Sequence, residues 1–180
     1  MSNYMRTNYP QYTAGVTMRE LLDETMASWR RERPDLDLAA MGTMLRANQL
    51  MTAALRSVDA VFAPHGITLG EFDVLAALRR GGEGTSATPT ALARVAMISP
   101  AGMTNRLDRL EAAGLVERRP DPGDRRGTLV QLTALGHTTA DRAVEDLVAA
   151  ETALFADLSP AEHRRFDATL DKLVDRLDWP

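Results

Sequence analysis

The sequence predicts a mainly α-helical chain with one small β-hairpin, an expectation that rests on three observations. Ser/Thr–Pro or capping-box starts recur along the chain. Apolar residues recur at helical spacing between them, and one pair of β-prone runs brackets a turn-rich segment around Gly123. A short helix, a tight turn, a longer helix and then a hairpin is the order of a winged helix-turn-helix, here flanked by N- and C-terminal helices suited to dimerisation.

Each element has its own reason. Residues 16–33 place Leu21, Leu22, Met26 and Trp29 on related helical faces before Pro34 closes the helix. A longer helix rich in Ala, Leu and Met spans 38–63 and stops at Pro64-His65-Gly66. Thr68-Leu69-Gly70-Glu71 has the capping-box pattern and opens a third helix, to about Arg80. Gly81, Gly82 and Gly84 predict a flexible loop. Thr88-Pro89 starts a short helix carrying Leu92, Val95 and Ala96. Ser99 then caps the helix that begins at Pro100, where the missing N–H costs nothing. In that helix Met103, Leu107 and Leu110 face a core, which leaves Thr104, Asn105, Asp108 and Arg109 to other faces until Gly114 ends it. Residues 115–119 and 128–132 read as strands joined by a tip of residues 120–127. Thr133 opens a long helix to about Ala156, and Ser159-Pro160-Ala161-Glu162 opens a last one to about Leu177.

The organisation expected is a mobile N-terminus at 1–15, N-terminal helices at 16–66, a winged helix-turn-helix DNA-binding region at 67–133 and C-terminal dimerisation helices at 134–180. The terminal helices lie far from the DNA-binding centre and carry broad apolar faces. A homodimer interface explains them, because two-fold symmetry sets two recognition helices one DNA turn apart on a palindrome. The alternative is that they only wrap their own domain.

Composition bounds the function. A chain of 180 residues with 44% hydrophobic content can bury a sizeable core. The absence of cysteine excludes disulfides, thiolate metal sites and thiol-based sensing. With no apolar run long enough to span a bilayer and no signal-peptide core, the expected location is cytoplasmic, with no membrane partner. A net charge of −4 argues against coating nucleic acid by bulk charge, but six arginines fall between Arg106 and Arg126, interspersed with five acids. Placement rather than quantity carries the signal. No metal site or cofactor is expected. Without a Gly-rich phosphate loop, an HExxH pattern or a nucleophile elbow, catalysis is not expected either.

For DNA the candidates are Thr104, Asn105 and Arg109 in the major groove, with Ser99 and Thr104 also suited to phosphates. Arg119, Arg125 and Arg126 on the hairpin suit the minor groove, with Asp124 expected to pin one guanidinium while another reaches DNA.

The segment Asn105-Arg106-Leu107-Asp108-Arg109-Leu110-Glu111, then Gly114-Leu115-Val116, Asp121-Pro122-Gly123-Asp124-Arg125-Arg126, Leu132-Thr133 and Gly136 resembles the MarR family of transcriptional regulators, from about Leu45 to the C-terminus. The resemblance implies homodimers of winged-helix protomers that bind palindromic operators on double-stranded DNA and commonly repress until a small molecule loosens the complex. The additional N-terminal helix is similar to that of the urate-responsive, UrtR-type subgroup. Carried over residue by residue, the resemblance implies a ligand site of Trp29, Asp73, Arg106 and Arg118, the last with Arg119 as the match if the alignment is displaced by one residue. A stacking indole and a two-toothed guanidinium suit a flat anion such as urate or a related purine, and Asp73 would be repelled by it.

Three other readings compete. The same fold can sense another small anion, a tricarboxylate or a phenolic acid, with the same arginines. His65 and His137 leave a pH response open. A winged-helix interaction protein without DNA binding is the alternative of a different class, and it would have little use for Arg125 and Arg126 on an exposed tip.

Overall fold

The computed structural model describes residues 17–177 apart from Glu83, and for Asp59 and Arg125 it describes the backbone alone. The N-terminus expected to be mobile, 1–15, lies outside the described residues. The chain divides into two compact units, Met1–Ala53 and Ala54–Pro180.

In the first unit, α1 (Met18–Glu32) starts with a capping box that the sequence reading did not single out. Thr17 Oγ1 accepts from the Glu20 N–H at 3.2 Å, and Glu20 Oε2 accepts from the Thr17 N–H at 2.6 Å. These bonds hold the Glu20 carboxyl below its ordinary pKa. Leu22 and Met26 are the buried face of α1, whereas Trp29 is exposed. α1 lies close against the start of α2 (Ala39–Phe62): a Cβ on Gly42 would stand 3.4 Å from Met26 Cε.

The second unit holds the expected winged architecture. A 3-10 turn, Ala63–His65, follows α2 and ends at Gly66, whose φ of 68° suits glycine. Then come α3 (Leu69–Arg80), β1 (Ser86–Ala87), α4 (Pro89–Val95), α5 (Pro100–Ala112), β2 (Val116–Asp121), β3 (Asp124–Leu132), α6 (Ala134–Leu154) and α7 (Pro160–Val174). The core is built from Phe62, Leu75, Leu78, Met103, Leu107 and Leu110, with Val116 and Val130 from the sheet closing over it. Phe62 and Phe72 stack at 4.5 Å between ring centroids. Ala140 and Ala143 bring the N-terminal half of α6 into the same core.

The sheet differs from the expectation in two ways. Its order is β1-β3-β2, all antiparallel, and β1 sits where only a glycine loop was expected. The strands also continue through most of the expected tip, because side chains complete the turn. Asp121 Oδ1 accepts from the Gly123 N–H at 2.8 Å and Asp124 Oδ1 from the Arg126 N–H at 2.9 Å, which leaves only Pro122 and Gly123 between the strands. A register shift at Pro120/Asp121 absorbs the proline, which has no ladder donor.

Helix α7 is exposed along its whole length, including Phe166, Leu170, Leu173 and Val174. No single helix among the described residues is long and apolar enough to cross a membrane.

Candidate nucleic-acid interface and anion site

The recognition helix is α5. Ser99 caps it, its Oγ accepting from the Gly102 N–H at 3.2 Å, and Pro100 takes the first helical position. Ser99 is thereby engaged in holding the helix start, with its hydroxyl proton still available to a phosphate. Burial of Met103, Leu107 and Leu110 fixes the rotation of α5, so Thr104, Asn105 and Asp108 point to solvent. Thr104 Oγ1 donates to the Pro100 carbonyl at 3.1 Å.

The arginines differ sharply in their partners. Arg109 Nε donates to Glu71 Oε1 at 2.6 Å, with most of the Arg109 side chain exposed and Glu71 buried. Glu71 Oε2 meanwhile accepts from the Thr68 N–H at 2.8 Å and Thr68 Oγ1 at 2.9 Å. Burial pushes the Glu71 carboxyl up, but the bonds from Arg109 and Thr68 outweigh it and hold the group below its ordinary pKa. Arg118, on β2, spans Asp108 at 2.7 Å and Glu111, both on α5, and so ties the hairpin to the recognition helix. Burial lowers its pKa, yet the two carboxylates raise it further. Arg119 pairs with Glu117 at 2.6 Å and stays exposed.

The turn at the wing tip is shaped by Asp124. Its carboxylate completes the turn through the Arg126 backbone N–H, and the exposed Arg126 guanidinium has no partner among the described residues. For Arg125 the backbone places the residue on β3.

The four residues proposed for an anion are placed as follows. Trp29 is on α1, exposed, in the first unit. Asp73 is exposed on α3 and lines a hollow of about 200 Å³ with Arg80, Leu92 and Met97. Arg106 is half-buried, and its Nη1 donates to the Gly70 carbonyl at 3.0 Å. That bond sets Arg106 one helical turn from Asp73 along α3, because residues three apart share a face. Arg118 is already spanned by two carboxylates, so an anion there has to compete with both.

The MarR family profile matches residues 65–127, which run from the end of the 3-10 turn to the wing. The HTH-type transcriptional regulator PecS of Dickeya dadantii is 37% identical over 159 residues, covering 87% of this chain and 94% of PecS. This chain belongs to the MarR family. MarR-family regulators of solved structure share the fold. A mutant of Escherichia coli MarR complexed with operator DNA superposes with a TM-score of 0.60 at 26% identity, covering 81% of this chain and 96% of that one. Bordetella bronchiseptica BpsR, whose DNA binding is regulated by 6-hydroxynicotinic acid, gives a TM-score of 0.55 at 27% identity, covering 72% and 98%. The relatives are named as transcriptional regulators, not as enzymes.

Glu71 is the residue of this MarR-family site that sequence reasoning missed. The capping box Thr68-x-x-Glu71 was legible, but one carboxylate oxygen suffices for the cap. What the second oxygen holds depends on how α5 packs across α3, and no local pattern states that.

Proposed function

We propose that the chain is a ligand-responsive transcriptional repressor that binds a palindromic operator as a homodimer and is released by a flat anion, urate or a related purine. The observation that carries the reading is Arg106. It sits on the recognition helix itself, half-buried, and rests on a neutral carbonyl where Arg109, Arg118 and Arg119 each rest on carboxylates. An anion competes with one neutral hydrogen bond at Arg106 and with full charges at the other three, so of these four Arg106 is the guanidinium it takes most readily. Displacing it acts directly on the helix that reads DNA.

On the DNA side, Thr104 and Asn105 supply outward-facing groups for base edges, with Arg109 offering the part of its guanidinium that Glu71 leaves free. Ser99 serves a phosphate, and Arg119, Arg125 and Arg126, with Asp124 shaping the turn, serve the groove beside the wing. The homodimer is supported by the exposed apolar residues of α6 and α7, among them Val148, Leu154, Leu170 and Leu173. Trp29 is the stacking candidate for the purine, and Asp73 the carboxylate that a bound anion repels.

A second effector class, a small carboxylic acid on the same arginines, is favoured by BpsR, since 6-hydroxynicotinic acid is also flat and anionic at neutral pH. Calorimetric titration of urate and of 6-hydroxynicotinic acid into the protein and into Arg106→Ala decides between them. The reading requires that urate bind with the higher affinity and that the substitution remove most of it. Tighter binding of the carboxylic acid transfers the site to the second class, and equal binding to wild type and variant removes Arg106 from it.

A further inference from the structure

We infer that Gly70 is a positioning residue for Arg106, the bare patch of α3 on which the recognition helix seats that guanidinium. A Cβ at position 70 would stand 2.5 Å from Arg106 Cζ, 2.7 Å from Nη2 and 2.8 Å from Nη1. The guanidinium therefore lies against the glycine Cα, with Nη1 bonded to the Gly70 carbonyl at 3.0 Å. No other residue leaves that space. The backbone does not call for glycine here, because Gly70 lies in the first turn of α3 and is not among the positive-φ glycines. Glycine destabilises a helix relative to alanine, so the room it leaves for Arg106 is what explains it.

The first turn of α3 thus holds α5 at two successive residues. Glu71 takes Arg109 and Gly70 takes Arg106, three residues earlier on α5. The two holds are unequal. The Glu71 carboxylate is buried, charged and also bound to Thr68. The Gly70 carbonyl is neutral, and Arg106 bonds to it close to the positive end of the α3 dipole, where a cation is disfavoured. Arg109 is the fixed point, and Arg106 is the contact that lets go. This deepens the function proposed above and rests on its assignment of Arg106 to the anion, with Gly70 setting how readily the guanidinium leaves.

The test is Gly70→Ala, alone and combined with Arg106→Ala. The clash falls on the mobile end of a side chain, so the variant folds, with a thermal midpoint equal to or above that of wild type. Three readouts apply: thermal midpoint, affinity for duplex DNA from the region upstream of the gene by anisotropy, and the 15N–1H signals of the Arg106 guanidinium, assigned with Arg106→Lys. The expected result is a displaced Arg106 signal, DNA affinity lower by about fivefold to tenfold, and no added effect of Gly70→Ala once Arg106 is alanine. An unmoved Arg106 signal, or equal losses in both backgrounds, overturns the assignment. If wild type binds no such DNA, the regulatory reading fails, while the guanidinium signal still decides the seat. If urate has no effect on wild type, the effector reading fails and all three readouts stand.

Discussion

Replacing Glu71 by glutamine tests the account of the recognition helix with almost no change of shape. Glu71 is only 6% exposed, and its carboxylate serves two directions, Arg109 through Oε1 and Thr68 through Oε2. Glutamine has one acceptor and one donor group. If its oxygen faces Thr68, the amide N–H₂ confronts the Arg109 donor; if it is flipped, it confronts the Thr68 N–H. One bond to a charged or capping group is lost in either case. A lost capping bond costs about 1 kcal/mol, and a charge-assisted bond costs about 1.5–3 kcal/mol. The exposure of Arg109 reduces the second figure by solvent screening. The expected loss is about 2 kcal/mol, equivalent to about 4–8 °C in thermal midpoint for a chain of this size. Thermal and urea denaturation at neutral pH measure it, and a midpoint within a degree of wild type would refute the reasoning. The pH dependence adds a signature. The folded pKa of Glu71 is depressed, so its stabilisation is present above the ordinary glutamate value and lost as pH falls through the folded one. The gap between wild type and Glu71→Gln is therefore widest at neutral pH, narrows as pH falls below the ordinary glutamate value, and closes once pH has passed the depressed folded one.

Other substitutions give equally definite expectations. Gly136→Ala places a Cβ 1.9 Å from the Leu115 carbonyl oxygen, a backbone atom that cannot swing aside, so it destabilises by more than about 3 kcal/mol or prevents folding, read by soluble yield and thermal midpoint. Arg126→Ala leaves the thermal midpoint unchanged, weakens binding evenly across DNA sequences and lowers the slope of log K against log salt by about one contact. Arg118→Ala frees Asp108 and Glu111, which stay solvated, so stability falls by only about 1 kcal/mol. Its larger effect is on DNA binding, because it unties the hairpin from α5; an unchanged affinity would show that the bridge is incidental.

Much of the fold was legible because local chemistry and global packing agree. Ser99-Pro100, Thr68 with Glu71 and Ser159 with Glu162 all cap the helices expected of them. Met103, Leu107 and Leu110 form the expected buried stripe. β1 was missed because a two-residue strand has no periodicity, and its pairing with Val130 and Gln131 is a long-range fact. The hairpin tip read as a loop because Pro120, Pro122 and Gly123 are strong turn residues, although Asp121 and Asp124 supply the bonds that tighten it. For the site, the arginine positions were legible but their partners were not. Asp108 and Glu111 meet Arg118 only once β2 folds back beside α5, and Gly70 meets Arg106 only once α5 lies across α3.

The most direct measurement is fluorescence anisotropy of labelled DNA from the intergenic region upstream of the gene, bound by the protein at fixed salt and then titrated with urate. The account predicts tight binding, release by urate, and a response shifted by alanine at Trp29 or Arg106. Binding that ignores urate contradicts the effector assignment, and no binding contradicts the regulator itself.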